Sequence, residues 1–340
     1  MFYNIKIIHK MFCFEFDMCR FSRGSMEEHR MIRGDSVTLM NIEKLLNDER
    51  ANTELRIFEL SDIAKSSLMA LAELREAGLG VYEMLSFISD DIDLGSAGDD
   101  VDIRPYRELT DSIMHSHSIF DKGVYASLLS HGLLEMGLTE RDFFDSGNSV
   151  EIFTYVKNSL ADEAYDVFSQ DFYDPRVKYS RDFSECVRLL LSGEVSYCLL
   201  PFEERGGTRL PTIAELIYRH DLKINSVTPV FGMDGTADMK YAMVSLNFTL
   251  PHIAKDDDRY LEIRVSADKN ITLSDLLSVA VMLGHTVYRV NSHTFSTEEG
   301  NKQFFSIVFR GECRDFISLL TFLTLFVDDY ITVGVYKNIE

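Results

Sequence analysis

From about residue 36 to residue 145 the hydrophobic and polar positions keep a helical rhythm. In SDIAKSSLMALAELREAG, Leu68, Leu71, Ala72 and Arg75 recur at three and four, Ser61 stands where an N-cap belongs and Gly78 where a C-terminal cap belongs. The spacing therefore predicts an amphipathic helix beginning at Ser61. Further helices are expected at 40–59, 81–89, 105–120 and 123–136, the last ending before Gly137, and TERDFF opens another short helical turn.

Past Gly147 the rhythm shortens to strands alternating with helices. VEIFTYV reads as a strand, KNSLADEAYDVFSQDF as a helix, VKYS as a strand, DFSECVRLLLSG as a helix closed by Gly193, and VSYCLLPF as a strand. PTIAELIYRH opens with Pro211 at a helix start, and LKINSVTPVFG returns as a strand. This βαβαβαβ run predicts a mostly parallel sheet covered by helices. The Asp234-Gly235 turn then reverses the chain into an antiparallel strand, ADMKYAMVSLNF, because Gly accepts positive φ without steric cost. Beyond the charged linker AKDDDR the order is βαββαβ, the ferredoxin-like arrangement. The fold class expected is α/β plus α+β. A helical domain would span 36–146, an α/β lobe 148–251 and a βαββαβ domain 258–340, with residues 1–35 as an extension outside the fold.

Composition narrows the function classes. A hydrophobic share of 46% with 26% charged residues over 340 residues is a soluble globular balance. Fifty-five acidic against 34 basic side chains give a net charge of -21, which repels a phosphate backbone and argues against nucleic acid. No run approaches the roughly 18 apolar residues that span a bilayer, so no membrane partner is expected. The five cysteines lack CxxC spacing, which speaks against a zinc site or a disulfide framework and for a cytoplasmic location. The first 25 residues mix charges with aromatics and are not a signal peptide. With Met26, Met31 and Met40 close behind, they read as an upstream translation artefact or a disordered extension.

Two clusters invite a metal. Asp91, Asp93, Asp99, Asp100 and Asp102 crowd one loop, but counting from Asp91 puts Gly95 at the fifth position where an EF-hand needs Gly at the sixth. His115 and His117, with His131 further on, form an i, i+2 pair that points to two faces of a helix. No metal and no cofactor is expected.

The stretch VSYCLLPFEERGGTRLPTIAELI carries a family resemblance. Pro201-Phe202-Glu203, followed twelve residues later by Glu215-Leu216-Ile217, resembles the Pro-Ile-Glu-Asn-Ser stretch of prephenate dehydratases and the helix after it. FSECVRLLLSGEVSYCLLP and EAYDVF are similar to the flanking elements of that family. SLLTFLTLFVDDYITVGVYKN resembles the closing helix and strand of the ACT regulatory domain that follows the catalytic domain. The resemblance covers roughly residues 148 to 340. It implies one periplasmic-binding-protein-like lobe, an ACT domain that dimerises, and an amino-acid ligand between protomers.

The departures from that family bear on chemistry. Its Gly-Pro-x-Gly-Ser-Tyr-Ser loop is replaced by Thr154, Tyr155, Lys157, Asn158, Ser159 and Leu160. Its motif Asn and Ser fall at Glu204 and Arg205, and its later Gly and Thr at Thr208 and Ile213. Its Thr-Arg-Phe falls at Met239, Lys240 and Tyr241, which puts a thioether where a hydroxyl donor is needed. The family's second lobe, which would lie between the two strands around Met233-Asp234-Gly235-Thr236, is read as deleted.

The resemblance leaves Glu203 and Lys240 as candidate catalytic residues. An isolated acid such as Glu203 otherwise serves structure by accepting local backbone hydrogen bonds. Asn270, Ile271, Thr272, Leu273, Asn291, Ser292 and His293 stand where the family holds its effector, with Ile271 replacing a Gly that permits close backbone approach. The expected function is a non-catalytic dehydratase-like protein acting in protein interaction or amino-acid sensing. The alternative is an active prephenate dehydratase forming phenylpyruvate. The helical region sits where bifunctional relatives carry a chorismate mutase, but the spacing from Arg50 to Arg107-Glu108 is too long for that small fold.

Overall fold

The computed structural model describes residues 35–89, 110–116, 118–144, 151–205, 207–231, 237–249, 259–266, 271–297, 300–311 and 316–337. Two compact units divide the chain, residues 1–62 and residues 63–340. The described part of the first unit belongs to helix α1 (Asp35–Glu76), which carries the exposed ion pairs Arg50–Glu54 and Arg56–Glu59. Ser61 lies inside α1 rather than at the start of a second helix, a correction to the expectation above. Neither Gly nor Pro interrupts residues 50–77, and an interior Ser costs only about 0.5 kcal/mol relative to Ala, too little to end a helix.

In the second unit, α1 is followed by α2 (Val81–Ser89) and α3 (Ile119–Glu135), and α3 packs against the last turns of α1. Leu71, Leu74, Met84, Leu85, Leu129 and Leu133 are buried there, and the Ser67 hydroxyl meets that of Tyr125 at 2.7 Å. At Gly132 the helices come close enough that a Cβ would stand 2.3 Å from the end of the Leu68 side chain, which would have to move aside. The helix expected over 105–120 is not continuous. Residues 110–114 are helical, His115 and Ser116 leave the helix, and α3 starts at Ile119 with Ser118 as its N-cap. The cause is local: Ser116 Oγ accepts the Ser118 amide, and Ser118 Oγ accepts that of Asp121, so hydroxyls stop one helix and start the next. The acidic loop with Asp91, Asp93, Asp99, Asp100 and Asp102 lies outside the described residues, as does His117.

The remaining elements build one nine-stranded sheet in the order β2-β1-β3-β5-β4-β9-β6-β8-β7. Its first part is β1 (Ile152–Val156), α4 (Ser159–Phe168), β2 (Arg176–Ser180), α5 (Phe183–Leu191), β3 (Tyr197–Glu204), α6 (Pro211–Arg219), β4 (Lys223–Phe231) and β5 (Ala237–Ser245). β1 pairs parallel with β2 and β3, while β5 runs antiparallel between β3 and β4. Only residues 232–236 separate β4 from β5, and the Asp234-Gly235 turn lies among them, outside the described residues. α4 covers an aromatic-rich face with Phe153, Tyr155 and Tyr197. α5 and α6 cover the other with Cys186, Leu190, Ile213 and Ile217.

The second part runs β6 (Arg259–Ser266), α7 (Leu273–Met282), β7 (Thr286–Thr297), β8 (Gly300–Gly311), α8 (Ile317–Phe326) and β9 (Tyr330–Tyr336), the βαββαβ order of the sequence reading. The two parts join where β4 meets β9 in parallel at Ile224 and Gly334. A Cβ on Gly334 would come within 2.9 Å of the Ile224 Cβ, so only glycine permits this contact. α6 reaches across the join, packing Tyr218 against Phe304 of β8. α8 lies on the opposite face, where Phe316 at its start sits against Arg259 of β6. α3 touches both α7 and α8 and covers their outer side.

Candidate functional site

Glu203 is the penultimate residue of β3, at the carboxyl edge of the parallel strands, the edge at which open α/β sheets bind ligands. Its neighbour across the β3–β5 ladder is Lys240, whose Nζ lies 3.8 Å from Glu203 Oε2. The two candidate catalytic residues are therefore brought together. Glu203 is nonetheless buried, at 5% exposure, and two further cations hold it. Arg289 of β7 donates to Glu203 Oε1 at 2.5 Å, and Arg209 Nε stands 3.7 Å from the same oxygen. Basic side chains from three separate elements thus engage this carboxylate.

Beside it lies a second buried carboxylate that sequence reasoning missed. Glu262, in the middle of β6, is fully buried and takes both terminal nitrogens of Arg209, a two-pronged pairing. Tyr218 brings its hydroxyl within 2.8 Å of Glu262 Oε1 and of Ser306 Oγ, and Tyr336 donates to Glu262 Oε2 at 3.2 Å. The Arg209 guanidinium also lies over the Phe202 ring at 4.1 Å. Burial alone would raise the Glu262 carboxyl. The Arg209 charge, with hydrogen bonds from Arg209, Tyr218 and Tyr336, outweighs it and holds the group below the usual carboxylate range. Burial, then the charge of Glu262, pushes the Tyr218 hydroxyl up. A neutral tyrosine donor and a committed carboxylate make a fixed polar core with no mobile proton for chemistry.

The residues that the sequence resemblance set apart from its motif loops have structural contacts. Thr154 is buried with its hydroxyl 2.7 Å from that of Ser180. Asn158 caps α4, its Oδ1 accepting the Ala161 amide at 2.9 Å, and Tyr241 donates to the same oxygen at 3.4 Å. The Tyr155 hydroxyl donates to Asp162. Met239, opposite Glu204 in the ladder, packs against the aromatic cluster under α4.

The expected effector residues fall on two sides of the sheet. Asn270 lies outside the described residues. Ile271 is buried, Thr272 is the N-cap of α7 in a capping box with Asp275, and Leu273 opens that helix. On β7, His293 turns toward α6, its ring edge-on to Tyr218 and stacked on Phe304. Strand alternation puts Asn291 on that same side and Ser292 on the other, where it accepts from Gln303. Ser292 is exposed and faces the side that α7 occupies; Asn291 and His293 do not.

Arg209, Glu262, Tyr218 and Arg289 carry no motif. The available signal was the alternation Tyr260, Glu262, Arg264 against Leu261, Ile263, Val265 in β6, which reads as a half-solvated strand until α6 is placed over its polar face.

Among the described residues no group of His, Cys, Asp and Glu is arranged to hold a metal ion. Nor, among them, is any helix long and apolar enough to cross a membrane. No protein-family model matches the chain, and no curated protein matches it significantly. Several solved structures are similar to part of it, three of which follow. A prephenate dehydratase from Streptococcus mutans is 15% identical, with 56% of this chain and 100% of that chain covered and a TM-score of 0.46. GqqA, described as a novel type of quorum quenching acylase, is 18% identical, covering 55% and 95%, at a TM-score of 0.41. A prephenate dehydratase from Arthrobacter aurescens, solved in complex with L-Phe, is 12% identical, covering 55% and 90%, at 0.40. At these scores the likeness assigns neither a family nor an activity.

Proposed function

We propose that this chain is a non-catalytic protein of the prephenate-dehydratase type, whose βαββαβ segment serves as an ACT-like module for self-association and for recognising a small ligand such as an amino acid. The observation that carries this reading is the state of Glu203. Dehydration of prephenate needs a proton donor beside the leaving hydroxyl, and here the motif carboxylate is spent on Arg289, Lys240 and Arg209. The position where the resemblance calls for a hydroxyl holds Met239. The domain division at 148–251 and 258–340 belongs to this proposal, as does the loss of a second lobe at residues 232–236.

Self-association is supported by a contrast between the two edges of the sheet. β2 is short and carries Arg176 and Lys178, the usual guards of an open edge. β7 is 12 residues long, holds no proline or lysine, and exposes Tyr288 and Val290 beside Val281 of α7. Two copies pairing through β7 would cover that apolar edge. A ligand held by the ACT-like module would meet Ile271, Thr272, Leu273 and Ser292, the expected residues on the α7 side.

Thermal unfolding with phenylalanine, tyrosine, tryptophan and the other amino acids, each at millimolar excess, tests the sensing part. A ligand that binds the native state raises the melting temperature. A rise with one amino acid and none with prephenate is expected. No rise with any amino acid removes sensing from the reading and leaves interaction alone.

A further inference from the structure

His293 is half-buried, and one of its two ring nitrogens is enclosed. Its ring is stacked on Phe304 at 5.1 Å with 18° between planes and meets Tyr218 edge-on at 5.1 Å, while its Nε2 is shielded from solvent with no hydrogen-bond partner among the described residues. A buried polar nitrogen left without a partner is uncommon and costs free energy unless the group stays neutral.

The charges around it decide what protonation would do. From the segment before α6 comes Arg209, already paired with Glu262. From β6 come Glu262 itself and Arg264, whose guanidinium lies 5.3 Å from the Phe304 ring on which His293 stacks. α6 presents the neutral Tyr218, and β9 presents the neutral Tyr336. β8 presents Phe304 and Ser306. On β7, Arg289 is committed to Glu203 of β3. Three arginines, and Lys240 of β5 beside Glu203, therefore share this side of the sheet with two carboxylates, and both carboxylates are engaged.

We propose that His293 is a proton-operated release for β7: neutral, its ring locks the strand onto α6, and protonated, it adds a fifth cation with no free carboxylate to receive it, so β7 disengages from α6. Burial and the Arg209 charge favour the neutral ring, in keeping with this geometry. The proposal does not depend on the ligand or on the non-catalytic reading. It adds that the open sheet edge is sensitive to mild acid.

Hydrogen exchange on the full chain tests it, read over residues 286–297 and corrected for the intrinsic pH dependence of exchange. Between about pH 7.5 and about pH 5.5 the protection of β7 should fall about tenfold, because the lower pH is one unit below the free imidazole value of about 6.5. Protection of β1 and β3 should stay constant. In H293F, which keeps an aromatic ring without a titrating nitrogen, β7 protection should also stay constant. Unchanged β7 protection in the wild-type chain, or the same fall in H293F, overturns the proposal. Should H293F not fold, the imidazole proton resonance of His293 in the wild-type chain decides. A midpoint below the free value, moving together with the Tyr218 and Phe304 resonances, supports the release, and a midpoint at or above it refutes it.

Discussion

Glu262 and Glu203 are both buried acids, yet the structure predicts different consequences for losing them. Glu262→Gln leaves the Arg209 charge enclosed without a counter-charge, and breaking such a pair costs about 3 to 5 kcal/mol, readable as a lowered urea midpoint. Replacing both partners, as in Arg209→Met with Glu262→Leu, should recover most of that loss, because the cost lies in the orphaned charge rather than in the absent bond. Glu203→Gln should cost about 1 to 2 kcal/mol, since Lys240 and Arg289 retain some access to water and can be solvated again. Acid affects the network in two windows. The Glu262 carboxyl is held below its unfolded value, so its contribution is complete above about pH 4.3 and is lost as pH falls through the lower folded value. His293 is also depressed, but it is a base. The unfolded chain therefore binds its proton first, and the loss begins just below about pH 6.5. Stability measured against pH should show the earlier step in the wild-type chain and lack it in H293F.

At the scale of elements, much of the order was legible because periodicity is a local property. The strands from β1 to β9 and the helices between them follow the spacing of apolar residues, and Pro211 and Gly193 mark a helix start and end. What the sequence hid was non-local. Ser61 looked like a cap because nothing local distinguishes a capping Ser from an interior one. The polar side of β6 looked solvent-facing because the pattern does not say that α6 crosses from its own strands to lie over it. For the same reason Glu203 and Lys240 could be chosen through motif positions, while Arg289, 86 residues away along the chain, could not. The crossing of α6 depends on the β4–β9 contact, which predicts that Gly334→Val will separate the strands or force Ile224 aside. The loss should exceed about 2 kcal/mol and should fall on the join, with hydrogen exchange accelerating in β4 and β9 before it does in β1.

For the whole molecule, the proposed self-association pairs copies through the open edge of the sheet rather than the guarded one. Val290→Lys places a charge on β7 without touching the buried network and should convert a dimer to a monomer in sedimentation velocity while leaving the melting curve of the protomer unchanged. A wild-type chain that sediments as a monomer at all concentrations would remove self-association from the account. The central proposal is that this chain does not perform dehydration, Glu203 serving instead as a tie between β3, β5 and β7. Incubating the purified full chain with prephenate and following phenylpyruvate tests this most directly. The account predicts no formation above the uncatalysed rate, in the wild-type chain and in Glu203→Gln alike. Enzyme-dependent phenylpyruvate that disappears in Glu203→Gln would contradict it and make Glu203 and Lys240 an active pair.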